Sequence, residues 1–196
     1  MMRAAASLAV ILLIATPASA KPAPATGMNN DPGITTFFFS NAPVYDARHS
    51  DKIAEFDAIV RAQGGQTNDL AWGAVTAFSI AVAIAGTVRM TPQQVKGSVP
   101  LARELLLASA NFRAAPDGDK KQVYEMIAAH AIALKRGWDD IAKDRLACGD
   151  YVNHAVERCK ARDQLHDMAA AAIVRMIEPY ALEDFMMTAD GMVRKK

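Results

Sequence analysis

The chain has 196 residues, 52% of them apolar, 22% charged and 7% aromatic, with a formal net charge of +1. That length suits one domain with a core of its own, needing no metal or disulfide staple. The apolar fraction excludes an intrinsically disordered chain, and 9 Pro with 11 Gly exclude a collagen-like one. Near-neutral charge disfavours nucleic-acid binding through bulk electrostatics.

Residues 1–20 read MMRAAASLAVILLIATPASA. Arg3 is the only charge, Leu8–Ile14 are apolar, and Ala18-Ser19-Ala20 is a small-x-small site. This is the layout of a secretory signal. Its apolar run is short for a bilayer span. Cleavage is expected between Ala20 and Lys21, giving a periplasmic or secreted protein. Loss of Arg3 leaves 21 basic residues against 21 acidic.

Residues 21–45 read as a flexible leader rich in Pro, Gly and Asn, followed by an aromatic arm with Phe37, Phe38 and Phe39 in succession. Three adjacent Phe cannot share one face of a helix or strand. The arm is expected to lie across the domain and bury two of them, with an exposed aromatic patch as the alternative.

From 46 to 196 the pattern is helical. Ile53, Phe56, Ile59 and Val60 recur at helical spacing until Gly64-Gly65. Thr67 or Asn68 can cap a second helix, from about Asp69 to Gly86. Thr91-Pro92-Gln93-Gln94 is a capping box opening a third, which Pro100 must kink or restart near Ser98. Asp117-Gly118-Asp119 opens a long fourth helix with a stripe at Val123, Ile127, Ala131, Leu134, Trp138 and Ile141. A fifth passes through Leu165, Ala169, Ala172, Ile173 and Met176 and stops before Pro179. No convincing strand pattern follows residue 45. The expected fold is all-α, a bundle of about five helices.

Leu70–Val88 carries no charge over its 19 residues, near the length of a membrane span. Nearly half of it is Ala or Gly, and Gly73, Ala77, Ala81 and Ala85 form a smooth ridge. Ridges of this kind serve soluble and membrane packing alike. A central core helix, covered on all sides, also reads apolar all round. That reading is preferred, with membrane association through 70–88 as the alternative.

Cys148 and Cys159 are an even pair in an exported chain, which favours a bridge. On one straight helix they would stand about 16 Å apart, and a disulfide needs less than about 7 Å. Gly149-Asp150 supplies the necessary bend, so the fifth helix is expected to start late, near Cys159. His130 lies between Ile127 and Leu134 on an apolar stripe and is expected at least half buried. His166 lies beside Asp163 and Asp167 on a solvated face.

No H-E-x-x-H, E-x-x-H, G-x-S-x-G, S-x-x-K, Walker A or C-x-x-C-H occurs. The calcium-loop likeness at Asp117 fails at Gln122 and Ala128. No metal and no cofactor are therefore expected, and catalysis is left open. An active site assembled without a motif would draw on His130, Glu125 and Asp69.

Four stretches, in order, carry a resemblance. They are Thr67-Asn68-Asp69-Leu70-Ala71-Trp72, Met90-Thr91-Pro92-Gln93-Gln94, Asp119-Lys120-Lys121-Gln122 with Glu125, and Met187-Thr188-Ala189-Asp190-Gly191. On these the domain resembles a family of exported bacterial proteins known only as a domain of unknown function. Met187 and Met192 stand where that family favours Leu and Phe. The resemblance implies a secreted helical domain and transfers no catalytic residue. Together these readings favour a non-catalytic protein with a protein partner or a supporting role in the cell envelope, binding no nucleic acid.

Overall fold

The computed structural model describes residues 49–86, 89–142, 155–177 and 180–195. The signal, its Ala20–Lys21 cleavage site, the leader, the Phe37–Phe39 arm, Cys148 and His154 lie outside the described residues.

Helix α1 spans Ser50–Ala62 and buries Phe56 and Val60. The chain then turns through Gly64 at φ +79° and Asn68 at φ +63°, a left-handed conformation that Gly and Asn tolerate. A Cβ on Gly65 would meet the Trp72 ring at 2.6 Å, so glycine lets the next helix fold back closely. Helix α2 spans Leu70–Ile84. Its cap is Asp69, not Thr67 or Asn68: Asp69 Oδ1 accepts from Ala71 N at 2.9 Å and Trp72 N at 3.2 Å. Asn68 is spent on the turn.

Every residue from Leu70 to Phe78 is buried. Helix α2 touches α1, α3, α5 and α6, and so forms the axis of the bundle. A stripe of small side chains allows this. A Cβ on Gly73 would come within 2.8 Å of the Tyr124 ring. Among the described residues no helix is long and apolar enough to cross a membrane.

Helix α3 spans Pro92–Ala108 and opens with the expected capping box. Thr91 N donates to Gln94 Oε1 at 2.9 Å, and Gln94 N donates to Thr91 Oγ1 at 3.2 Å. The helix runs through Pro100 without restarting. Pro100 is exposed, where water can serve the carbonyl it leaves unmatched. The break falls instead at Ser109, which caps a short α4, Ala110–Ala114, by accepting from Phe112 N.

Helix α5 spans Asp117–Ala142, with acidic residues in its first turn to oppose the helix dipole. Helix α6 spans Ala155–Ile177. It begins one turn before the expected start near Cys159, and Ala161, Leu165, Ala169, Ile173 and Ile177 face the core at four-residue steps. The fold is thus all-α in its body, with six helices among the described residues.

One element corrects the sequence reading. After a single turn of 3-10 helix at Leu182–Asp184, β1 (Phe185–Thr188) pairs antiparallel with β2 (Gly191–Arg194). The strands are four residues long and three of their eight residues are Met, so they carry little of the β-branched alternation that marks a strand.

Candidate functional site

The hairpin sits on the first turns of α3 through backbone approach. A Cβ on Gly97 would lie 1.4 Å from Asp190 O, and one on Gly191 would lie 2.5 Å from Gly97 C. Polar groups then lock the contact. Gln94 Nε2 donates to Thr188 O at 2.9 Å, and Met192 N donates to Ser98 Oγ at 2.8 Å. Ser98 Oγ in turn donates to Gln94 O at 2.7 Å, so this fully buried hydroxyl has both partners. The tight turn is closed by Thr188, whose Oγ1 donates to Gly191 O at 2.7 Å and accepts from Asp190 N. Two stretches separated by about half the chain, Met90–Gln94 and Met187–Gly191, therefore meet in one junction. The Asp190-Gly191 dipeptide is a turn signal that the sequence reading left unused.

A second junction joins α5 to α1 and α2. Tyr124 is fully buried, stands edge-on to Phe56 at 5.8 Å, and donates its hydroxyl to Asp57 Oδ1 at 2.8 Å. Burial, and then the Asp57 carboxylate, push the phenol far above its ordinary range. The neutral phenol is thus favoured by the fold, and its contribution is complete below the unfolded pKa of about 10. It is lost as pH rises through the folded value. In an alkaline titration followed by tyrosinate absorbance, Tyr124 is expected to ionise only together with unfolding. Its ionisation within the intact fold would contradict the burial.

Further along α5, Arg136 bridges Asp51 at 2.7 Å and Glu55 at 2.8 Å on α1. Its hydrogen bond to Asp51 holds that carboxyl below the usual range. Lys135 pairs with Asp139 at 2.6 Å and reaches Glu55 at 3.7 Å. These pairs set the register of α1 against α5 on a solvated face, where each is worth little.

The three candidate residues are placed as follows. Asp69 caps α2 and pairs with Arg103 at 2.7 Å. Glu125 pairs with Lys121 one turn away at 3.6 Å. His130 reaches solvent in an otherwise largely buried stretch of α5. Partial desolvation of the ring, and then the proximity of His49 and Lys52, hold its pKa below the ordinary value. Those neighbours belong to the very start of α1, where that helix gives only partial cover. Five residues of α-helix turn Glu125 and His130 about 140° apart, so the two do not face one point. His166 is half exposed as expected, with Nε2 at 2.9 Å from Ala85 O at the end of α2.

Asp69 can be tested apart from catalysis. Asp69→Ala is expected to cost about 1–2 kcal/mol by removing the cap. Asp69→Asn keeps the cap and loses only an exposed pair worth less than about 1 kcal/mol. Equal losses in urea unfolding would show that the pair, not the cap, is what stabilises.

An apolar cavity of about 40 Å³ lies between α2, α3, α6 and β2, lined by residues including Ala74, Phe78, Leu105, Met176 and Met192. Ligand pockets are roughly ten times larger and carry convergent polar groups. Among the described residues no three His, Cys, Asp or Glu side chains are grouped to hold a metal ion. Large apolar side chains left exposed are Leu107, Val174, Leu182, Met186 and Val193. No family model, curated protein or solved structure matches the chain.

Proposed function

We propose that this protein is an exported helical module that acts in the cell envelope by contact with a protein partner, without catalysis. The observation that carries this reading is how the polar candidates are used. Asp69 serves as a cap, Glu125 lies in a one-turn ion pair and His130 lies on a different side of α5 from Glu125. Apolar side chains are meanwhile left on the outside, including Val174 on α6 and Leu107 on α3. Contact surface, rather than a reactive cleft, is what such an arrangement offers. The signal-like residues 1–20 and the resemblance to exported proteins of unknown function supply the compartment. A bridge from Cys148 to Cys159, the latter within α6, belongs to the same reading, because an exported pair is oxidised.

Expression of the full chain with cell fractionation tests the compartment. A detergent-free periplasmic extract is expected to hold a product whose N-terminal residue is Lys21. Retention of residues 1–20 in the cytoplasm would overturn it. Photo-crosslinkers at Leu107 and Val174 are expected to give a discrete adduct in the envelope, and none from either position would remove the partner. Two reactive thiols in the denatured, unreduced protein would remove the bridge.

A further inference from the structure

The two-stranded sheet has one covered edge and one open edge. In an antiparallel pair, alternate residues aim their N–H and C=O at the partner strand, and the others aim away. Lys195 N donates to Asp184 O at 2.8 Å, and Met192 N turns away from β1 to reach Ser98 Oγ. These two bonds set the phase. Met186 and Thr188 bond inward to β2, while Phe185 and Met187 face outward. The outer edge of β2 lies on α3. On β1, Phe185 N is already held by Leu182 O. Among the described residues, no protein group meets the N–H or C=O of Met187.

This edge lacks the usual protections against pairing. Phe185–Thr188 contains no charge and no Pro. Met186 stands opposite Val193 on the outer face of the hairpin, and both are exposed, as is Leu182 just before β1. Open backbone groups and an apolar face thus coincide on four residues.

We propose that β1 pairs antiparallel with β1 of a second copy of this chain, about a two-fold axis at Met186. Backbone phase and the exposed Met186 select that register together. Hydrogen-bonded partners must both face outward, so the axis relates Phe185 to Met187 or relates Met187 to itself. An axis at Met187 would set Met186 against Thr188 of the other copy and keep the two exposed Met186 side chains apart. An axis at Met186 sets Met186 against Met186 and Phe185 against Met187, all within the strand. Each Met187 N–H then reaches Phe185 C=O of the other copy. The two Met186 side chains meet across the axis, flanked by the two Val193. A strand pair this short buries far less than the roughly 1,000 Å² of a stable interface. The dimer is therefore weak and reversible, and it holds whether or not the chain also has an envelope partner.

Sedimentation velocity of the purified protein from micromolar to near-millimolar concentration is the test, with hydrogen exchange of the Met187 amide read at both ends. The expected result is a monomer that shifts to dimer, with Met187 exchange slowing at least tenfold as it does. Met187→Pro removes the outward donor without touching the ladder to β2. Met186→Lys sets two cations against each other on the axis. Both variants are expected to stay monomeric while keeping the parent's melting temperature within a few degrees. A monomer at every concentration, or a dimer that survives both substitutions, overturns the proposal. So does Met187 protection that is independent of concentration, which would point to an occupant from the same chain.

Discussion

Gly97→Ala is expected to destabilise the protein by about 3 kcal/mol or more, in the range reserved for clashes that force rearrangement. The sign is the informative part. Alanine inside a helix is ordinarily better than glycine by about 1 kcal/mol, and Gly97 lies well inside α3. Here the added methyl would stand 1.4 Å from the Asp190 carbonyl oxygen, a backbone atom that no rotamer change can remove. The hairpin must lift from α3. Lifting it breaks the Gln94–Thr188 and Met192–Ser98 hydrogen bonds and withdraws Phe185 from the buried cluster that includes Ile84, Leu101 and Ile173. Urea unfolding with fluorescence and limited proteolysis of the C-terminal residues would measure both effects. An unchanged or raised midpoint would mean that the strand does not rest on that helix. Gly191→Ala strains the same contact and also the φ of +137° at that residue. The double variant should accordingly lose less than the sum of the two.

Tyr124→Ala is expected to cost about 3–5 kcal/mol, the usual loss for a large aromatic deleted from a core. Tyr124→Phe should cost about 1–2 kcal/mol, since it removes one hydrogen bond and leaves Asp57 to find water. The difference separates the ring from its hydroxyl. The ring fills the space above Gly73 and meets Phe56 at an interplanar angle of 72°, a geometry worth roughly 0.5–1.5 kcal/mol beyond area. If thermal melting showed equal losses for the two variants, most of the stabilisation would come from the hydroxyl's bond to Asp57. The ring's packing would then count for little.

What was legible in the sequence were features written in neighbouring residues. The capping box at Thr91–Gln94, the stop at Gly64-Gly65 and the small-residue stripe of α2 are of this kind, and each is present. The central position of α2 was legible too, because a helix without charge has no face to give to water. Less readable was the choice among Thr67, Asn68 and Asp69, all good caps. It was decided by which residue could accept the left-handed turn after Gly64-Gly65. The hairpin escaped because its strands are short and its support is remote. Gly97 looks like a weak point in a helix until Asp190 is brought against it. How far His130 is covered was hidden for a related reason. Periodicity along α5 describes one helix, while cover depends on where α1 begins.

Two of the bonds that hold the hairpin join residues 94 positions apart. A chain emerges from the ribosome with its N-terminus first, and so the seat on α3 is made long before its occupant. Until Phe185 and the strands that follow it arrive, the Gly97 backbone stays bare and the cluster that includes Ile84, Leu101 and Leu105 lacks Phe185. Closure of that side is an event in time as well as a place in the structure. A chain interrupted before Phe185 would have the six described helices and still be recognisable as unfinished.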